Sequence, residues 1–200
     1  MRAILKVLLT QGTCNFVAIL WGLGFAWFAL IPALDAEAQR FALQGSLVLV
    51  IGSYCVGSPT LYLLVRPIKR AMDVLGSGRP DPAVLLAGRR RALELPIVLS
   101  RTSMLLWILP AAVTLGATPL VPRSVDPLLP SRIALAIVLT GAVSSTFVLY
   151  LVEHLARRTL VPMLLPDGDL DAVPGVRPAS TGLKLLILIG NTCLVPVLVL

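Results

Sequence analysis

The groups able to do acid–base or metal chemistry are few: ten Asp and Glu residues, one histidine and three cysteines in 200 residues. The densest acidic group is Asp167-Gly168-Asp169-Leu170-Asp171, whose alternating carboxylates are of the type that holds Mg²⁺ or Ca²⁺. It lacks the distal Glu that completes a Ca²⁺ loop, and Gly168 marks it as a solvated turn. Cys14, Cys55 and Cys193 form no CxxC and do not cluster with His154, so they predict neither a metal site nor a disulfide frame but small apolar side chains in helices. No Gly-rich phosphate loop ending in Lys and no nucleophile elbow is present. The segment is therefore expected to carry no catalytic residue, no metal ligand and no bound cofactor.

Two polar groupings within apolar surroundings remain. Gly52, Gly57 and Ser58, with Ser53 beside them, precede Pro59, and Ser144 and Ser145 lie in "TGAVSSTF", Thr140 to Phe147. Small residues let helices approach closely, so both are expected as helix-packing surfaces, within the chain or between two copies. Glu153 and His154 stand four residues before Arg157 and Arg158 near a helix end, the spacing of an interfacial ion pair.

The elements that must position these groups follow from composition. Hydrophobic residues make up 57% of the chain and charged residues 14%, against about 25% charged in soluble domains. Apolar runs long enough to cross a hydrocarbon layer of about 30 Å predict an all-α, polytopic transmembrane helical bundle in a lipid bilayer. Spans are expected near 14–34, 44–65, 97–120, 133–154 and 183–200. The first dozen residues, with Arg2 and Lys6, read as an amphipathic lead-in along the interface. Although Ala36-Glu37-Ala38 resembles a cleavage site, the uncharged run from Cys14 to Leu34 exceeds a secretory core of about 7–15 residues.

The net charge of +7 is asymmetric. Arg40, Arg123 and Arg132 fall on one side of this topology, and the other fourteen Lys and Arg fall on the opposite side. The rule that Lys and Arg are retained in the cytoplasm puts the N-terminus and the connections 66–96 and 155–182 there. Basic residues placed this way suit anionic headgroups and not nucleic acid, because no stacking aromatics accompany them on a folded domain.

A weak internal repeat marks those two connections. "LYLLVRPIKR" ends the second span and "LYLVEHLARR" the fourth, aligning Tyr62 with Tyr150 and Lys69-Arg70 with Arg157-Arg158. A segment rich in Pro and Gly follows each, "LGSGRPDP" and "LLPDGDLDAVPG". Although "RPIKRAMDVLGSG" looks like the first helix of a HAMP linker, "RPDPAVLLAGRRRALELP" lacks that module's second-helix pattern.

With Arg66-Pro67, Gly78-Arg79-Pro80 and Ala92-Leu93-Glu94-Leu95-Pro96 before "SMLLWILPA", the first connection resembles the cytoplasmic loop in the membrane domain of bacterial, largely actinobacterial, class III adenylate cyclases. The second resembles it too, through Arg157-Arg158, Pro162, Leu165-Pro166-Asp167-Gly168 and Pro174-Gly175. The resemblance runs from about Arg66 onward and implies six membrane helices, a HAMP linker and a cyclase domain, with Mg²⁺ or Mn²⁺ in that domain and a homodimer as the working unit. It implies a bacterial plasma-membrane anchor and signal-input region. The cyclase's metal-binding aspartates, adenine-selecting residues and transition-state Asn and Arg have no counterpart here, so a fragment ending within an apolar run at Leu200 is expected. A membrane sensor of another signalling enzyme, such as a histidine kinase, and a small permease or channel subunit are the alternatives; the ligand is unspecified.

Overall fold

The computed structural model describes residues 2–25, 36–78, 81–120, 126–165, 173, 182 and 184–190. Helix α1 is Arg2–Phe25, α2 is Ala36–Gly76, α3 is Pro82–Gly116 and α4 is Leu129–Leu155. A π-helical turn, Ala156–Leu160, and a final turn, Val161–Leu164, prolong α4. Among the described residues there is no strand, and four helices are long and apolar enough to cross a membrane. The protein is an all-α helical bundle and a multi-pass membrane protein.

α1 is one helix from its second residue, so the expected interfacial lead-in and the first half of the expected span are continuous. The remainder of that span, from residue 26, lies outside the described residues, as do residues 191–200 of the last expected span; residues 184–190 are helical.

The connection 66–96 is different from a loop. At about 1.5 Å per residue, the 41 residues of α2 make a rod of about 61 Å, twice the hydrocarbon thickness. Its last turns therefore carry the chain out of the apolar layer as helix. The punctuation that reads as a loop is a stop followed at once by a start. Gly78 takes a positive φ of 69°, which a residue without Cβ adopts freely, and the Ser77 amide donates back to the Asp73 carbonyl at 3.0 Å. Asp81 then caps α3: its carboxylate accepts from the amides of Ala83 at 2.9 Å and Val84 at 3.3 Å, and Pro82 occupies the first turn where no donor is needed. The result is a helical hairpin.

Prolines inside helices are accommodated locally. Pro59 and Pro67 lie within α2, and Pro96 and Pro110 within α3. Near Pro162 the backbone widens: the Val161 amide reaches back five residues to the Ala156 carbonyl, and the Thr159 hydroxyl donates to the Leu155 carbonyl at 2.6 Å.

α3 lies between α2 and α4, and α1 packs on α4. Antiparallel register for α3 and α4 is fixed by Arg89 meeting Leu164 and Ser100 meeting Ser145. Asn15 meets Ser144, and Gly22 lies at the level of Thr140, so α1 and α4 are antiparallel too. Among the described residues, a buried apolar cluster lies at one end. There Ile4 and Val7 of α1, Ile68 of α2, Leu95 and Leu99 of α3, Val148 and Val152 of α4 and Leu160 beyond it are buried together. Two glycines permit the approach: a Cβ on Gly88 would overlap the Ala71 methyl and lie 3.2 Å from the Pro67 carbonyl oxygen, and one on Gly141 would overlap Trp107. Large apolar side chains such as Trp21, Val48 and Leu105 face outward, as a lipid-facing surface requires.

Candidate functional site: a buried polar layer and a charged end

Polar atoms inside a membrane bundle need partners from neighbouring helices, since no solvent is at hand. Asn15 supplies that partner for three side chains. Its Oδ1 accepts from Ser103 Oγ at 2.9 Å, from Ser144 Oγ at 3.0 Å and from Trp107 Nε1 at a long 3.4 Å. One carboxamide thereby ties α1 to α3 and α4. A turn away, the Ser100 hydroxyl donates to the Ser145 carbonyl at 2.9 Å. Ser103, Ser144 and Ser145 are buried. Gln11, on the same face of α1 as Asn15, is fully buried, and among the described residues neither its Oε1 nor its Nε2 has a partner; the buried Ser145 Oγ has none there either.

At the basic end, Glu153 is the centre of charge. Its Oε1 lies 2.5 Å from Lys184 Nζ and 2.8 Å from an Arg157 guanidinium nitrogen. Both Glu153 and Lys184 are largely buried, with side-chain exposures of 16% and 13%, whereas Arg157 is 66% exposed. Tyr150 donates its hydroxyl to the Lys184 carbonyl at 2.9 Å, fixing the start of the following helical segment against α4. Arg89 Nε donates to the Leu164 carbonyl at 2.8 Å, a cation on the last carbonyls of a helix.

The residues singled out from sequence fall into separate environments. Gly57 is buried, and a Cβ there would meet a Leu106 methyl at 3.2 Å. Ser144 and Ser145 are sealed between α1, α3 and α4, which makes them contacts within the chain and leaves them no surface for a second copy. Gly52 and Ser58 are exposed, and among the described residues nothing lies within 4 Å of a Cβ built on Gly52. Of the four residues expected to form an interfacial ion pair, Glu153 pairs with Arg157, while His154 and Arg158 are exposed and form no ion pair among the described residues. The Asp167–Asp171 group lies outside the described residues. Among those described, no three His, Cys, Asp or Glu residues gather where they could hold a metal ion.

Three participants are absent from the sequence reading: Asn15, Gln11 and Lys184 as the partner of Glu153. A carboxamide pair at i and i+4 inside a 24-residue apolar helix is the signal that would have found the first two. Nothing local pairs residue 153 with residue 184.

The fold and these two clusters define a polytopic α-helical membrane protein whose interior is polar at one level and whose charge gathers at one end. No family model, no curated protein and no solved structure matches this chain.

Proposed function

We propose that the chain is the membrane anchor and signal-input region of a class III adenylate cyclase. It sits in a bacterial plasma membrane with its N-terminus and the α2–α3 hairpin in the cytoplasm, and works as a homodimer. The resemblance of the two connections to that family supports the activity and the dimer. The charge asymmetry supports the orientation: Arg2 and Lys6, the exposed Arg66, Lys69 and Arg70, and the exposed Arg157 and Arg158 all belong to the end where α1 begins and α2 and α4 finish.

One observation carries the reading. The same end holds a buried apolar cluster to which α1, α2, α3 and α4 all contribute. A change of helix spacing in the apolar half then reaches the cytoplasm as movement of one packed body. Such movement would turn two catalytic partners relative to each other, and a stimulus counts as a signal only if it binds the two arrangements unequally. The catalytic residues and their Mg²⁺ or Mn²⁺ would belong to a domain encoded beyond Leu200.

The test is to read the coding frame past Leu200, express the whole frame, and measure cyclic AMP formed from ATP in isolated membranes. A cyclase domain in frame with membrane-bound activity is the expected result. A different output domain, or no cyclic AMP, overturns it and leaves the anchor of another signalling enzyme. The buried polar atoms of Gln11 and Ser145 favour a second reading, a small permease or channel subunit, which uptake by reconstituted vesicles would reveal.

A further inference from the structure

Arg101 stands apart from the charges of the basic end. The contacts of Asn15 with Ser103 and Ser144 mark a common level of α1, α3 and α4. Arg101 is two residues from Ser103, whereas Lys6, Glu94 and Glu153, the nearest other charges of these helices toward the basic end, are each nine residues from that level. At about 1.5 Å per residue, Arg101 lies about 10 Å further along the bundle axis than they do, toward its apolar middle. Its side chain is turned outward. Leu95, Leu99 and Ser103 are buried on one stripe of α3, and a residue two positions from both Leu99 and Ser103 is about 200° away around the helix. Arg101 is exposed there, with Leu105, 65% exposed, one turn further on. Among the described residues Arg101 forms no ion pair, and Glu94, the carboxylate of α3, is held by Arg90 at 3.0 Å.

A guanidinium keeps its charge at any working pH and is costly against hydrocarbon, so an arginine on a lipid-facing stripe needs an anion. α3 begins at the basic end, with Arg89, Arg90 and Arg91 near its start. Helical side chains lean toward the start of their helix, so Arg101 extends toward the headgroups and away from the bilayer centre. We propose that Arg101 binds the phosphate of a phospholipid of net negative charge and draws that headgroup inward along the outer face of α3. The planar fork of the guanidinium matches two phosphate oxygens. A zwitterionic headgroup brings its own ammonium to the same place. Since no carboxylate pairs with Arg101 among the described residues, a net anion balances it better. The inference rests on the helices crossing a bilayer and is independent of the output the bundle serves.

The test places a photoreactive benzophenone side chain at Leu105 and reconstitutes the full chain in vesicles of equal phosphatidylglycerol and phosphatidylcholine with matched acyl chains. Mass spectrometry of the illuminated protein reads which lipid is attached. Salt of about 1 M, with a screening length of about 3 Å, suppresses attraction by the exposed cations of the basic end. Under those conditions phosphatidylglycerol should be captured in about fivefold excess, the preference expected for one cation. Arg101→Leu should bring the two lipids to equality. An apolar residue suits a lipid-facing surface, so the fold should persist; helicity by circular dichroism verifies this, and Arg101→Gln is the second variant. Arg101→Lys, which keeps the charge, should keep a preference. Equal capture by the chain with Arg101 in place, or an excess that survives its replacement by Leu, overturns the proposal. Capture of a second copy in place of lipid also overturns it and assigns this face of α3 to the homodimer.

Discussion

The hairpin geometry can be tested with one substitution made at two places. Gly88 in α3 and Gly52 in α2 are both helix-interior glycines, so replacing either with Ala gains the same helix propensity, about 1 kcal/mol. Their surroundings differ completely. At Gly52 the new methyl meets nothing within 4 Å among the described residues, whereas at Gly88 it overlaps the Ala71 methyl and crowds the Pro67 carbonyl oxygen at 3.2 Å. The second neighbour is backbone of the partner helix and can yield only if α2 and α3 separate. Overpacking of this kind costs about 1–3 kcal/mol. Because propensity cancels between the sites, Gly88→Ala should be less stable than Gly52→Ala by that same amount. Denaturation by graded sodium dodecyl sulfate in mixed micelles, read by helicity, gives the difference directly. The double variant Gly88→Ala/Ala71→Gly moves the methyl to the other side of the contact and should recover about 1 kcal/mol relative to additivity. Equal midpoints for the two single variants, or strict additivity in the cycle, would refute the close approach of α2 and α3.

Three further outcomes follow from particular contacts. Glu153→Gln leaves the largely buried Lys184 without its anion and should destabilise the bundle by about 2–4 kcal/mol, whereas Arg157→Gln, at an exposed partner, should cost under about 1 kcal/mol; the same denaturation assay ranks them, and equal effects would contradict the geometry. Asp81→Ala removes the acceptor of two amides at the start of α3 and should cost about 1 kcal/mol, with Asp81→Asn retaining most of it. Asn15→Leu strips Ser103 and Ser144 of their shared acceptor; these hydroxyls can turn to carbonyls of their own helix, so the loss should be about 1–2 kcal/mol and should be relieved in part by Ser144→Ala, as a double-mutant cycle would report.

Much of this protein was legible along the chain. Hydropathy is a local sum, so the apolar runs announced membrane-spanning helices, and the positions of Arg and Lys announced which ends share a side. Even the hairpin's turn was present in "LGSGRPDP": Gly78 to end α2, then Asp81 and Pro82 to begin α3. Those residues read as a loop because prolines and glycines both punctuate loops and bound helices, and only the continuation on either side tells the two apart. The pair Glu153 and Arg157 was also readable, since four residues of helix bring them together without help.

Tertiary structure decided what one helix offers another. Asn15 finds its donors 88, 92 and 129 residues away, and Arg89 finds its acceptor 75 residues away. Whether a small residue faces lipid, as Gly52 does, or a neighbour, as Gly57 does, depends on the rotation of α2 about its axis. An almost wholly apolar helix carries little polar patterning to fix that rotation. Lys184 joins Glu153 only because the chain returns to α4 after leaving it, and Tyr150 holds it there. Composition determined that helices cross a membrane; rotation and register, which no local sum contains, determined which polar atoms meet and which, in Gln11 and Ser145, find no partner among the described residues.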